Sequence, residues 1–145
     1  LETLHDYQSV AAFGHMFSET AAMDFQSKLA RMGKFVLTHL DDQLQSAYIK
    51  HADTDTLVIV FSDSGTFMDR YEMIDKETGQ SVFNATKGHI VMITSNPKMR
   101  SDPRVDDVLL YSRTGTLHTH RLMYSLVTDI IAQRYYSIYK KRPNL

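Results

Sequence analysis

Thr56 to Phe61 reads TLVIVF, and the polar turn Ser62-Asp63-Ser64-Gly65-Thr66 follows it directly. Six consecutive apolar or β-branched residues, with no alternation, describe a strand covered on both faces, as in a parallel sheet between two layers of helix. His89 to Thr94, HIVMIT, is a second such run and ends in Ser95-Asn96-Pro97. Outward from these two, Ser9 to Phe13 reads as a short strand ending at Gly14, Phe35 to Thr38 as another, and Val105 to Tyr111 as a last short one. Helices alternate with them. Ser18 to Met32 carries Ala22, Phe25, Leu29 and Met32 at helical spacing, with Ser18 suited to the N-cap and Gly33 to the stop. Asp41 to His51 has acidic residues at its start and Lys50 and His51 at its end, which suits the helix dipole. Thr66 to about Lys76 predicts a further helix, and Gln80 to Lys87 a second helical piece. Ser95 to Arg104 reads as a loop and Ser112 to Thr116 as a turn; Leu117 to about Lys140 reads as a long helix stopped by Pro143. The expected fold is α/β, a three-layer α/β/α sandwich around a mostly parallel, doubly wound sheet, in one domain covering residues 1–145.

Composition narrows the function. The 145 residues are 43% hydrophobic and 23% charged, an ordinary globular balance. A formal net charge of −1 gives no support to direct nucleic-acid binding, which needs a basic surface. With no cysteine, disulfides, thiolate nucleophiles and thiolate metal sites are excluded. No apolar run reaches the roughly 18 residues a membrane span requires, and Leu1 to Gln8 is polar rather than signal-like, so a cytoplasmic location is expected. The chain begins at Leu1 without a methionine and reads as a fragment of something longer.

In doubly wound sheets, ligands bind beyond the carboxyl ends of the strands. Three loops are expected there. Ser62 to Thr66 offers hydroxyls from Ser62, Ser64 and Thr66, backbone N–H groups, and Gly65 for close approach, a phosphate cradle without a lysine. Gly14 to Ser18 is a second strand-to-helix loop, with Ser18 as a donor or as a plain helix cap. Thr94-Ser95-Asn96 is the third. Each alone is compatible with an ordinary capped turn; their convergence on one edge is the more specific signal.

The stretches FGHMFSETAAMDFQSKLARMG (Phe13 to Gly33), VIVFSDSGT (Val58 to Thr66), VMITSNP (Val91 to Pro97) and VDDVLLY (Val105 to Tyr111) resemble sugar isomerase (SIS) domains. The resemblance is closest to the phosphosugar-binding domain of RpiR-type bacterial transcription regulators and covers about Val10 to Gln133. It implies a sugar phosphate held by Ser62 and Ser64, with Asp63, Gly65 and Thr66 in the same loop. It also places Ser18 and Ser95 near the ligand, and sets His120 and Arg121 at the start of the last helix beside it. The chain departs from the pattern at Met16, where a glycine is usual, at Phe67, where a threonine is usual, and at His120, where a serine is frequent.

Seven histidines are scattered along the chain, and His118 and His120 do not share a helix face, so no metal site is expected; nor is any cofactor. Asp69, Glu72 and Glu77 show no feature that marks a general base. The last helix, with Tyr124, Leu126, Val127, Ile130, Ile131, Tyr135, Ile138 and Tyr139, has an apolar surface wide enough for both the sheet and a homodimer partner. The resemblance thus implies a non-catalytic effector domain that senses a sugar phosphate, with DNA bound only through a domain absent from this chain. The alternatives are a phosphosugar isomerase or lyase, and a degenerate domain kept for dimerisation.

Overall fold

The computed structural model describes residues 1–112 and 119–140, the side chains of residues 119 and 120 excepted. Four parallel strands form the sheet: β1 (Ser9–Gly14), β2 (Thr56–Phe61), β3 (His89–Thr94) and β4 (Asp107–Leu110), in that spatial order. Helices α1 (Glu2–Asp6), α2 (Phe17–Ala30), α3 (Asp42–His51) and α4 (Thr119–Tyr135) accompany it.

The run TLVIVF is continuous because its residues face two cores in turn. Leu57, Ile59 and Phe61 join Val10, Ala12 and Ile93 against α2 and α4, where Phe25, Leu29, Tyr124 and Val127 are buried. Val58 and Val60 join Ala11, Phe13, Ile90 and Met92 on the opposite face, under Ile49 of α3 and Met68, Met73 and Phe83 of the following turns. Each buried Val, Leu, Ile, Phe or Met among them contributes about 1.5–3 kcal/mol, so both faces hold the sheet.

The expected strand at 35–38 shrinks to one bridge. Leu37 N–H donates to Val10 O and Ala12 N–H donates to Leu37 O, both at 2.9 Å, on the outer edge of β1. Only Val36 turns into the core there, while Phe35 is 76% exposed, so the segment has no second apolar face to extend pairing. The bridge still fixes the topology. The chain leaves β1 outward to Leu37 and returns across it to β2, so the winding reverses between β1 and β2, and a crevice opens at their carboxyl ends.

The segment after Phe61 also differs from expectation. In place of a helix over 66–76 it forms two short 3₁₀ turns, Thr66–Asp69 and Tyr71–Met73, and a third, Val82–Asn84, stands where a helical piece was expected over 80–87. Phe67, Met68, Met73, Val82 and Phe83 are all buried, at spacings no single helix face accommodates, so each turn plugs the core separately. The strand expected over 105–111 is regular only at Asp107–Leu110. Asp41 caps α3 as its sequence suggests, accepting from the N–H groups of Gln43 and Leu44 at 2.8 and 3.1 Å. The last helix is regular over Thr119–Tyr135 and continues as a wider turn, Tyr136–Lys140; Pro143 lies outside the described residues.

Candidate functional site

The crevice between β1 and β2 is built by two sharp exits from the sheet. At the first, Gly14 is so close to α2 that a Cβ would lie 2.4 Å from the Ser18 carbonyl carbon, so no side chain fits. Met16 then turns the chain with φ 54° and ψ −114°, the one positive φ of a non-glycine among the described residues. That conformation is open to glycine and strained for methionine. The loop thus has a glycine-like backbone at the position where the resemblance leads one to expect glycine. α2 begins at Phe17 with Met16 as its N-cap, so Ser18 lies inside the helix and is not the cap. Its hydroxyl is 3.2 Å from the Tyr124 hydroxyl of α4.

At the second exit Gly65 takes φ 81°, and a Cβ there would fall 2.5 Å from Met99 Sδ. Ser62 is buried and its hydroxyl oxygen accepts the Phe67 N–H at 3.2 Å, which leaves its own proton to donate. Ser64 and Thr66 are exposed, with their hydroxyls 2.8 Å apart. Because a four-residue 3₁₀ turn follows rather than a helix, the loop lacks the helix macrodipole expected from the sequence, and its anion chemistry rests on hydroxyls and local N–H groups.

Asp63 holds this loop to its neighbours. Its carboxylate accepts the Tyr111 hydroxyl at 2.5 Å and the Ser95 hydroxyl at 2.9 Å, and its carbonyl accepts from Thr94 Oγ1 at 3.0 Å and Ser95 N–H at 3.1 Å. Asn96 Nδ2 donates to Ser64 O at 2.9 Å. Ser95 therefore serves the loop from beneath and is not among the residues lining the crevice. Burial first, then the bond to Asp63, pushes the Tyr111 phenol well above its ordinary value; burial does the same for Tyr124.

The crevice encloses about 190 Å³. Ser18, Ser62, Ser64 and Thr66 supply hydroxyls to its lining, Asp63 and Arg70 the formal charges, and Phe61 and Phe67 the apolar wall, with His15 at the rim. Five of the expected ligand residues are thus together, and Gly65 shapes the turn between them. Arg70 was not apparent from the sequence. Its guanidinium bonds both oxygens of Asp42, at 3.1 and 3.0 Å, approaches Glu72 at 3.4 Å, and lies 5.6 Å from the Phe67 ring centroid. Phe67 replaces a hydroxyl with an aromatic wall and a seat for that cation. No local signal marks Arg70, because its partner Asp42 lies 28 residues earlier in the chain.

Arg121 lies elsewhere. It stacks 3.4 Å over the Phe17 ring and borders a separate, mainly apolar groove of about 450 Å³ between α2 and α4, with Asp24 and Ser125. That groove is larger but its surface is mainly apolar and its cation, Arg121, lies over the Phe17 ring with Asp24 in the same lining, so the hydroxyl-rich crevice is the better anion site. His120 stands in the first turn of α4, with a side chain outside the described residues. The structure also brings together three residues that the sequence leaves apart. One ligand atom each from His15, Glu19 and Asp42 lies within 4.8 Å of the others.

No family model matches the sequence, and no curated protein matches it. Solved structures do match the fold. The NanR protein of Vibrio vulnificus, complexed with ManNAc-6P, aligns with a TM-score of 0.74 at 18% identity, over 95% of this chain and 52% of that one. The sugar isomerase domain of an RpiR transcription factor from Sphaerobacter thermophilus aligns at 0.58 and 16% identity, over 92% and 74%. Phosphoheptose isomerase of Neisseria gonorrhoeae aligns at 0.62 and 13% identity, over 94% and 80%. The chain therefore has the α/β fold of sugar isomerase domains, and spans about half the length of the NanR chain. Among the described residues, no helix is long and apolar enough to cross a membrane.

Proposed function

We propose that this chain is a non-catalytic effector domain that binds a sugar phosphate in the crevice between β1 and β2. The observation that carries the reading is the convergence of the Ser18, Ser62, Ser64 and Thr66 hydroxyls on one small crevice at the point where the winding reverses. Solved neighbours support it: one is complexed with ManNAc-6P, and another is the sugar isomerase domain of a transcription factor. The phosphate sits on Ser62, Ser64 and Thr66, with backbone N–H groups of the Ser62–Thr66 turn beside it. Asp63 and Ser95 fix the turn's shape. The carboxylate that lines the crevice, Asp63, is held by Tyr111 and Ser95, which suits recognition better than proton abstraction from a sugar. In this reading the chain is one domain of a cytoplasmic bacterial regulator, DNA being bound by another domain, and it works as a homodimer.

The test is a thermal-shift panel of sugar phosphates, each beside its unphosphorylated sugar and free phosphate. A ligand at 100 times its Kd stabilises by about 2.7 kcal/mol, which moves the midpoint by about 5–10 °C. A shift by one sugar phosphate, abolished in the Ser64→Ala/Thr66→Ala double variant, is the expected result. No shift across the panel overturns it in favour of a domain kept for dimerisation. Turnover of a bound aldose phosphate to its ketose overturns the non-catalytic part and favours the isomerase activity of neighbours such as phosphoheptose isomerase.

A further inference from the structure

We propose that His15, Glu19 and Asp42 form a divalent-metal site of the transition type at the rim of the crevice. One nitrogen and two carboxylate oxygens lie within 4.8 Å of one another, a donor set that small rotations of these side chains would close onto a single ion. Three elements bring it about. The strained turn at Met16 sets His15 ahead of α2, Glu19 stands in the first turn of α2, and the Asp41 cap fixes the first turn of α3, where Asp42 lies. Arg70 holds Asp42 by both oxygens, at 3.1 and 3.0 Å. Each oxygen retains a lone pair, so the guanidinium orients the carboxylate as outer partners of metal ligands do. Imidazole with carboxylates suits zinc, cobalt or manganese better than calcium or magnesium, and three protein ligands leave coordination positions open.

The charge around the crevice favours a cation there. This part rests on the sugar phosphate reading. Among the lining residues the formal charges are Asp63 and Arg70, and Arg70 is already matched by Asp42 and Glu72. A phosphate dianion entering here would meet an excess of carboxylate. A divalent ion on His15, which belongs both to the trio and to the crevice lining, reverses that sign and borders the anion's place.

The chain, stripped with chelator, is titrated calorimetrically with Zn²⁺, with Mg²⁺ as the hard-ion control, and with Co²⁺ read by its visible absorption. One Zn²⁺ per chain is expected, weakened at least about tenfold by His15→Ala and by Glu19→Gln, with the melting midpoint of the metal-free variants unchanged. Zn²⁺ binding of equal strength in both variants, which would place the ion on other histidines, overturns the proposal, as does the lack of saturable binding. Repeating the sugar phosphate panel with and without Zn²⁺ separates the two readings. Zinc bound through His15 and Glu19 with no sugar phosphate shift sustains the metal site and sinks the effector reading; a sugar phosphate shift in a chain that binds no zinc does the reverse.

Discussion

The Tyr111 hydroxyl donates a 2.5 Å hydrogen bond to Asp63 Oδ1, tying the end of β4 to the turn after β2. Tyr111 is 8% exposed and its ring packs edge-on against Tyr124, which in turn reaches Ser18 of α2. One tyrosine therefore sets the shape of the anion loop and links it to two helices. Tyr111→Phe keeps the ring and removes the bond to a carboxylate. A loss of about 1.5 kcal/mol is expected, at the low end for a charged acceptor because the Ser95 hydroxyl remains on Asp63. Chemical denaturation of the variant checks it, and an unchanged midpoint would show that the bond contributes nothing.

The same contact predicts an alkaline limit. Burial and Asp63 raise the Tyr111 phenol above its ordinary value of 10.0, so the folded state favours the protonated form. Its contribution is complete below pH 10 and is lost as pH rises above that, where the unfolded chain ionises first. Melting midpoints should hold level from pH 8 to about 9.5 and fall beyond about pH 10. Tyr111→Phe should fall less steeply, the residual slope coming from Tyr124 and Tyr135, which burial also raises.

Met16 offers a test of strain. Its φ of 54° with ψ −114° costs a non-glycine residue about 1–3 kcal/mol, and its side chain is 64% exposed, so little packing is lost with it. Met16→Gly releases the strain at an entropic cost of about 0.5–1 kcal/mol in the unfolded state. The net expectation is a small rise in stability, with a marked drop for Met16→Val, whose branched Cβ tolerates positive φ least. Denaturant midpoints of the two variants check both directions.

How far the sequence carried the fold follows from these particulars. TLVIVF and HIVMIT were legible because strands buried on both faces have no alternation to confuse. The turns between Thr66 and Asn84 were not legible, because Phe67, Met73 and Phe83 are placed by separate holes in the core and share no period. The hydroxyls of the crevice followed from local order along two loops. Arg70 and the approach of His15 to Asp42 depend on α3 standing beside the loops, which no local pattern announces. Ser95 and Asp63 were expected near the ligand; Asp63 lines the crevice and Ser95 does not, and their use in holding the loop's shape emerged only from their hydrogen bonds.

Exposed apolar residues on α4 carry the dimer prediction. Leu122, Leu126 and Ile130 are 73%, 51% and 49% exposed and recur every four residues, opposite the buried Tyr124, Val127 and Thr128. A second copy of the same helix is expected to cover this stripe. Sedimentation should give a dimer for the native chain and a folded monomer for Leu126→Asp. A monomeric native chain would refute the pairing and leave the crevice untouched.

Gly65 decides whether the anion loop depends on its backbone or only on its hydroxyls. Gly65→Ala meets two obstacles: the φ of 81°, and a Cβ placed 2.5 Å from Met99 Sδ. The methionine tip can swing aside, but the dihedral cannot; Met99 is itself buried, so Met99→Ala costs packing of its own and the relief is read as the coupling in a double-mutant cycle. A destabilisation of about 1–2 kcal/mol is expected from the backbone alone. If the loop instead relaxes to a negative φ, stability recovers, yet Ser64 and Thr66 leave their shared orientation and sugar phosphate binding is lost. Measuring both quantities on the single and double variants separates the cases. Full binding in a Gly65→Ala variant whose stability has also recovered would mean that the turn's N–H groups take no part, and that the hydroxyls of Ser62, Ser64 and Thr66 hold the anion by themselves.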